Sequence, residues 1–212
     1  MTWRFDPLCP LSYDVIIADP ATRFETYSAA GAGKSPQAQY ATMSWDELAE
    51  LDVAQLGRGD AILMLWACWP TLQRSLTLMQ QWGFRYVTGG AWHKRTKHGK
   101  TAFGTGYVLR SASEPFLIGT LGSPLTANNV RNIIETEDLT VIDAEARGHS
   151  RKPDDQYDFC RRLAPRAIRF AELFARQRQP GWEAWGNEVG KFEPSVNAAE
   201  AISLGEHDPC PT

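Results

Sequence analysis

A chain of 212 residues with 43% hydrophobic and 22% charged positions and a formal net charge of -3 has room for one sizeable α/β core. No apolar run is long enough for a membrane span, and the opening Met-Thr-Trp-Arg-Phe-Asp lacks the basic and apolar regions of a secretory leader. Cys9, Cys68, Cys160 and Cys210 show no CxxC spacing or Cys/His pairing, which argues against a zinc centre or a disulfide framework and for a reducing cytoplasm.

In chain order, Asp14 is expected in solvent at the start of a strand. Val15 to Ala18 then form a continuously apolar run of the kind buried in a parallel sheet, and Asp19-Pro20 ends it. Ligands in open α/β sheets gather at such carboxyl ends. Residues 23–43 have neither helical nor strand period, and a loop of that length is usually functional or mobile. Ser44 and Glu47 have the spacing of a capping box, which predicts a short helix ending near Leu51. Ala61 to Trp66 reads as a second buried strand. A helix opened by Pro70 follows, with Leu72, Leu76 and Met79 at helical spacing, and stops at Gly83.

Phe84 to Trp92 reads as a third strand and Glu114 to Thr120 as a fourth, separated by an irregular basic stretch. From His93 to Arg110 the chain carries five Lys/Arg and no Asp/Glu, so Lys94, Lys97, Lys100 and Arg110 are candidates for phosphate contact. Further strands are expected at 128–134, 168–174 and 183–189, with a helix over 153–163. Strands alternating with helices imply an α/β fold with a parallel, doubly wound sheet. Beyond Phe192 the tail carries Glu193, Glu200, Glu206 and Asp208 against no Lys or Arg, which predicts disorder.

Several common chemistries fail on inspection. Gly33-Lys34-Ser35 resembles the end of a phosphate-binding loop, but Ser28 stands where its first glycine belongs and Pro36 forbids the following helix. His93, His98, His149 and His207 share no ligand spacing, so no metal centre is expected, and no GxSxG elbow supports a serine hydrolase.

The order of the remaining elements is informative. Tyr13 to Pro20, the loop with Gly33-Lys34-Ser35-Pro36-Gln37 and Tyr40, and Leu65-Trp66 come first. Trp92-x-Lys94, Gly104-x-Gly106 with Glu114 beyond, Ser150-Arg151-Lys152-Pro153 and Glu172-Leu173-Phe174-x-Arg176 to Trp185-Gly186-Asn187 follow. Together they resemble the adenine-N6 methyltransferase family that includes the catalytic subunit of the eukaryotic mRNA adenosine methyltransferase, with bacterial and phage members. The resemblance implies a single Rossmann-like methyltransferase domain over residues 1–192, with permuted motif order and a mostly parallel sheet, then an acidic tail over 193–212. It implies S-adenosylmethionine as methyl donor and nucleic acid as substrate, with DNA favoured over RNA, and is compatible with a homodimer or a heterodimer.

Carried over residue by residue, the likeness makes Asp19 and Pro20 catalytic, and Asp19, Lys152, Phe174, Arg176, Asn187 and Glu188 cofactor contacts. The chain departs from the family at Ala21-Thr22, where relatives carry Pro-Trp or a similar pair and the tryptophan supplies a face for the target base. Thr22 therefore sits at the substrate position, with Phe24 and Tyr27 as substitute aromatic faces. The alternative implied by this departure is a catalytically impaired subunit that binds nucleic acid.

Overall fold

A computed structural model describes residues 3–22, 42–96, 98–104, 106, 108–135 and 151–191. Seven strands form one sheet in the order β5-β3-β4-β2-β1-β6-β7: β1 Tyr13–Ala18, β2 Gly57–Trp66, β3 Arg85–His93, β4 Ser113–Leu121, β5 Ile133–Glu135, β6 Phe170–Leu173 and β7 Glu183–Trp185. Among the described residues three α-helices accompany it, α1 Trp45–Ala49, α2 Leu72–Gln81 and α3 Asp155–Leu163. The first strand in the chain lies deep inside the sheet, parallel to β2 on one side and to β6 on the other.

β1 is continuously apolar because both faces of the sheet are covered. Ile16 and Ala18 pack with Leu63, Leu65, Leu48, Leu78 and Met79 on the side of α1 and α2. Val15 and Ile17 pack with Ile62, Met64, Tyr157, Phe159 and Cys160 on the side of α3. Full burial of each large aliphatic side chain contributes about 1.5–3 kcal/mol, so β1 is a firmly held base for whatever follows Ala18.

The expected helix start at Ser44 is present as a complete capping box: the Glu47 amide donates to Ser44 Oγ at 3.2 Å, and the Ser44 amide donates to the Glu47 carboxylate at 2.7 Å. Gly83 ends the α2 segment with φ at 85°, a conformation that favours glycine. In α2 the buried positions are Ser75, Leu78 and Met79, whereas Leu72 and Leu76 are half-buried.

Other boundaries move for physical reasons. β2 begins at Gly57 rather than Ala61, because Arg58 reaches Asp14 at 3.6 Å and the strand runs past the core as a polar extension. Asp14 is not simply solvated, since its Oδ2 accepts the Ile168 and Arg169 amides at 2.9 Å each. The strand expected over 128–134 is confined to Ile133–Glu135, and the one expected over 183–189 stops at Trp185.

The sheet is mostly parallel, as expected, with one strand reversed. β4 runs antiparallel to both β2 and β3, so the sheet is mixed, with the remaining pairs parallel. Among the described residues no helix lies between β3 and β4, and a strand that returns without a crossover helix reverses direction. Among the described residues Cys68 and Cys160 carry free thiols. No helix among the described residues is long and apolar enough to cross a membrane. The expected acidic tail lies outside the described residues, as do most of residues 23–43.

Candidate active site

Reversal of β4 decides which residues meet. β1, β2 and β3 run in one direction and finish at one edge of the sheet, and β4 starts there. Asp19, Trp66, Lys94 and Glu114 are thereby brought to the same edge, although they are spread over almost a hundred positions of sequence.

Lys152, delivered by the segment before α3, is the hub. Its Nζ lies 2.9 Å from Asp19 Oδ1, 3.0 Å from Asp19 Oδ2 and 3.1 Å from Glu114 Oε1, with the side chain only 6% exposed. The same ammonium stands 5.4 Å from the centre of the Trp66 ring, a cation-π distance. Glu114 takes a second cation through its other oxygen, 2.8 Å from Lys94 Nζ, and Arg176 Nη2 lies 3.8 Å from Asp19 Oδ2. Five groups therefore alternate in sign across the edge: Arg176, Asp19, Lys152, Glu114 and Lys94.

The protonation states follow from these contacts. Burial pushes the Glu114 carboxyl up, but the Lys152 and Lys94 ammonium groups and their hydrogen bonds outweigh it and hold the group down at about 2. Burial pushes the Lys152 ammonium down, and the Asp19 and Glu114 carboxylates reverse this and raise it, so the lysine stays charged at neutral pH. Glu172 on β6 is different. Burial, with Asp19 and Asp154 nearby, raises it to about 7, despite the Tyr157 hydroxyl that donates to it at 2.8 Å.

A raised carboxyl stabilises the fold below its ordinary value of 4.5, and that contribution is lost as pH rises through 7. Glu172→Gln is therefore expected to match the parent near pH 4.5 and to exceed it by about 2–3 kcal/mol at pH 8. Urea unfolding at the two pH values checks this, and equal differences at both would remove the assignment.

Asp19, Pro20, Thr22, Trp45, Trp66 and Arg176 line a cavity of about 210 Å³, with Lys152 and Glu114 in its wall. Pockets for drug-sized ligands run from about 300 to 1,000 Å³, so this space suits one planar ring. Of the residues marked out in the sequence, Asp19, Pro20, Thr22, Lys152 and Arg176 meet here. Phe174 lies just beyond β6, its backbone in the left-handed region at φ 63° and its ring edge-on to Trp185 at 5.5 Å. Asn187 is exposed in the turn after β7, and Glu188 pairs with Lys191 at 2.6 Å. Gly186 opens that turn because a Cβ there would lie 2.7 Å from the Ala175 carbonyl oxygen.

Lys94 turns inward to Glu114, while Lys100 and Arg110 are exposed, the latter with its guanidinium 5.5 Å from the Phe103 ring centre. Phe24, Tyr27 and Lys97 lie outside the described residues. Sequence reasoning did not assign roles to Glu114, Trp45 or Trp66 in the site. The one local signal was a carboxylate, Glu114, opening a strand that is otherwise apolar from Pro115 to Ile118.

The mixed sheet, with its acid-proline tip on a central strand and its charged edge, defines an α/β protein of the Rossmann-like methyltransferase class. The MT-A70 family model matches residues 13–188, and the chain belongs to that family. Its methyltransferases use S-adenosylmethionine as methyl donor. The chain is 33% identical over 154 residues to the MT-A70-like N(6)-adenosine-methyltransferase of Arabidopsis thaliana, a match covering 71% of this chain and 21% of that protein. It is 31% identical over 175 residues to the type II methyltransferase M.MunI of a Mycoplasma species, covering 80% and 66%. With the human N(6)-adenosine-methyltransferase catalytic subunit METTL3 it shares 31% over 154 residues, covering 71% and 25%. The chain thus spans only a fifth to a quarter of the length of its plant and animal relatives.

Proposed function

We propose that this chain is a site-specific DNA methyltransferase that transfers a methyl group to the 6-amino group of adenine, DNA being preferred over RNA. The observation that carries the reading is Asp19-Pro20, two hydrogen-bond acceptors at the tip of a buried central strand, opening into a cavity the size of one base. The donor set fits S-adenosylmethionine: Asp19 and Arg176 match in sign the two charges of its amino-acid end, and Phe174, Asn187 and Glu188 extend the contacts past the ring-sized cavity. Asp19, Lys152, Phe174, Arg176, Asn187 and Glu188 would hold it. When bound, it supplies an electrophilic methyl on a sulfonium centre.

The chain's residues must correct the weak nucleophilicity of the adenine amine, whose lone pair is delocalised into the ring. The Asp19 carboxylate and the Pro20 carbonyl accept its two hydrogens and turn the lone pair out of the ring plane, toward the methyl. Lys152 meets both oxygens of Asp19, which fixes the plane of the carboxylate and so the direction of its remaining lone pairs. A target base in a duplex must first leave the stack to reach so small a space.

The DNA preference draws on the likeness to the type II methyltransferase M.MunI, 31% identical over 175 residues and 80% of this chain. Tritium transfer from labelled S-adenosylmethionine to matched single-stranded DNA and RNA pools, followed by nucleoside analysis, tests both parts. N6-methyladenine is expected, in greater yield on DNA; a greater yield on RNA overturns the preference, and no transfer overturns the activity. In that last case the replacement of Pro-Trp by Ala21-Thr22 favours the reading as an impaired, nucleic-acid-binding subunit.

The exposed Lys100 and Arg110 supply phosphate contacts. Replacing both with alanine is expected to weaken binding and to lower the slope of log K against log salt by about 1.4 on single strands. An unchanged slope takes this loop out of the interface.

A further inference from the structure

Ala21 and Thr22 leave the catalytic tip without an aromatic side chain where a base would lie flat, yet the cavity has two tryptophans in its wall. Trp66 is already occupied. It is 3% exposed, its indole nitrogen donates to Gln156 Oε1 at 2.8 Å, and its ring meets Lys152, Phe116 and Trp92 at 5.4, 5.6 and 6.4 Å.

Trp45 is held differently. It is the first residue of α1, placed by the capping box of Ser44 and Glu47, and it packs partly against the core. Its indole Nε1 is buried with no hydrogen-bond partner among the described residues, and Arg74 stands 5.9 Å from its ring centre. The chain two residues before it is tied to the catalytic tip: Met43 bridges to Thr22, and the Met43 amide donates to the Ala21 carbonyl at 3.1 Å. A large ring is thus fastened beside two small residues, and all three face the same cavity.

We infer that Trp45 supplies the stacking face for the target adenine, replacing in space the aromatic residue absent from positions 21 and 22. The small side chains of Ala21 and Thr22 become a requirement of this arrangement, since a ring at position 22 would compete with Trp45 for the same space. The inference rests on the adenine-transfer reading for its substrate, and its test is built to separate the two.

Trp45→Leu keeps apolar volume but loses the π-face, whereas Trp45→Phe keeps a face. Three quantities are measured: kcat/KM on single-stranded DNA, affinity for S-adenosylmethionine, and quenching of 2-aminopurine at adenine positions of a single-stranded oligonucleotide. Leucine is expected to lower kcat/KM about tenfold to a hundredfold and to abolish quenching, while phenylalanine restores most of both. Cofactor affinity stays unchanged in either variant.

If the leucine variant retains quenching and kcat/KM within about twofold of the parent, Trp45 is not the stacking face. Should the parent transfer no methyl, the adenine-transfer reading fails, and quenching alone decides. Loss with leucine and retention with phenylalanine support Trp45, and equal quenching in all forms, or none in the parent, overturns it. Photocrosslinking of an 8-azidoadenine oligonucleotide to the unmutated chain covers unfolding of the leucine variant. An adduct on Trp45 supports the inference, and adducts only elsewhere overturn it.

Discussion

Asp19→Ala is expected to lower methyl transfer about a hundredfold to a thousandfold, the cost of removing one preorganised polar group from a reacting centre. The position is unusually rigid, because Val15, Ile16, Ile17 and Ala18 directly before it are all fully buried. The loss therefore falls on alignment of the amine and not on the strand that carries it. Lys152 retains Glu114 at 3.1 Å in this variant, so the fold survives. Single-turnover transfer with saturating cofactor reads the effect on kcat, and circular dichroism confirms the fold. Transfer within about threefold of the parent would place the chemistry elsewhere.

Lys152→Met is expected to cost about 3–5 kcal/mol of stability, because it leaves two carboxylates at a buried site without their shared cation. In a chain of this size that corresponds to a fall of roughly 6–20 °C in Tm. The pH dependence gives the cause. In the parent, Glu114 is held at about 2, below its ordinary 4.5, so its contribution is present above pH 4.5 and is lost as pH falls toward 2. Without Lys152 the Glu114 carboxyl loses its foremost partner, and protonating it relieves a buried charge. The deficit of the variant is therefore greatest at neutral pH and shrinks as pH falls through 4.5. Thermal melts at pH 7.5 and pH 4.5 check this, and a deficit independent of pH would mean that lost packing, not charge, is responsible.

The sequence revealed elements whose causes are local. Val15 to Ala18 ends in an acid, and Ser44 with Glu47 is a capping box whether or not the rest of the chain is known. The position of Asp19 at a strand tip followed from the first of these. What could not be read was any property that depends on strand direction. Lys94 in a basic run looks like a surface cation, and only the reversal of β4 turns it onto Glu114. The link between Trp45 and Thr22 is equally hidden, since it spans a stretch with neither helical nor strand period. Resemblance marked Lys152 as important, but its service to two carboxylates at once is a fact of three dimensions.

The reversed strand also bears on how such a protein could change its target. Both ends of the loop between β3 and β4 are fastened to each other, by the Lys94 amide on the Ala112 carbonyl at 2.9 Å and by the ion pair of Lys94 with Glu114. Residues between those clasps can be lengthened, shortened or exchanged without moving Asp19, because the clasps and not the loop set the strand spacing. Under the function proposed above, contact with the nucleic acid and execution of the chemistry fall to separable parts of the fold. Grafting this loop from one relative to another is then expected to alter nucleic-acid contact while leaving Asp19 in place.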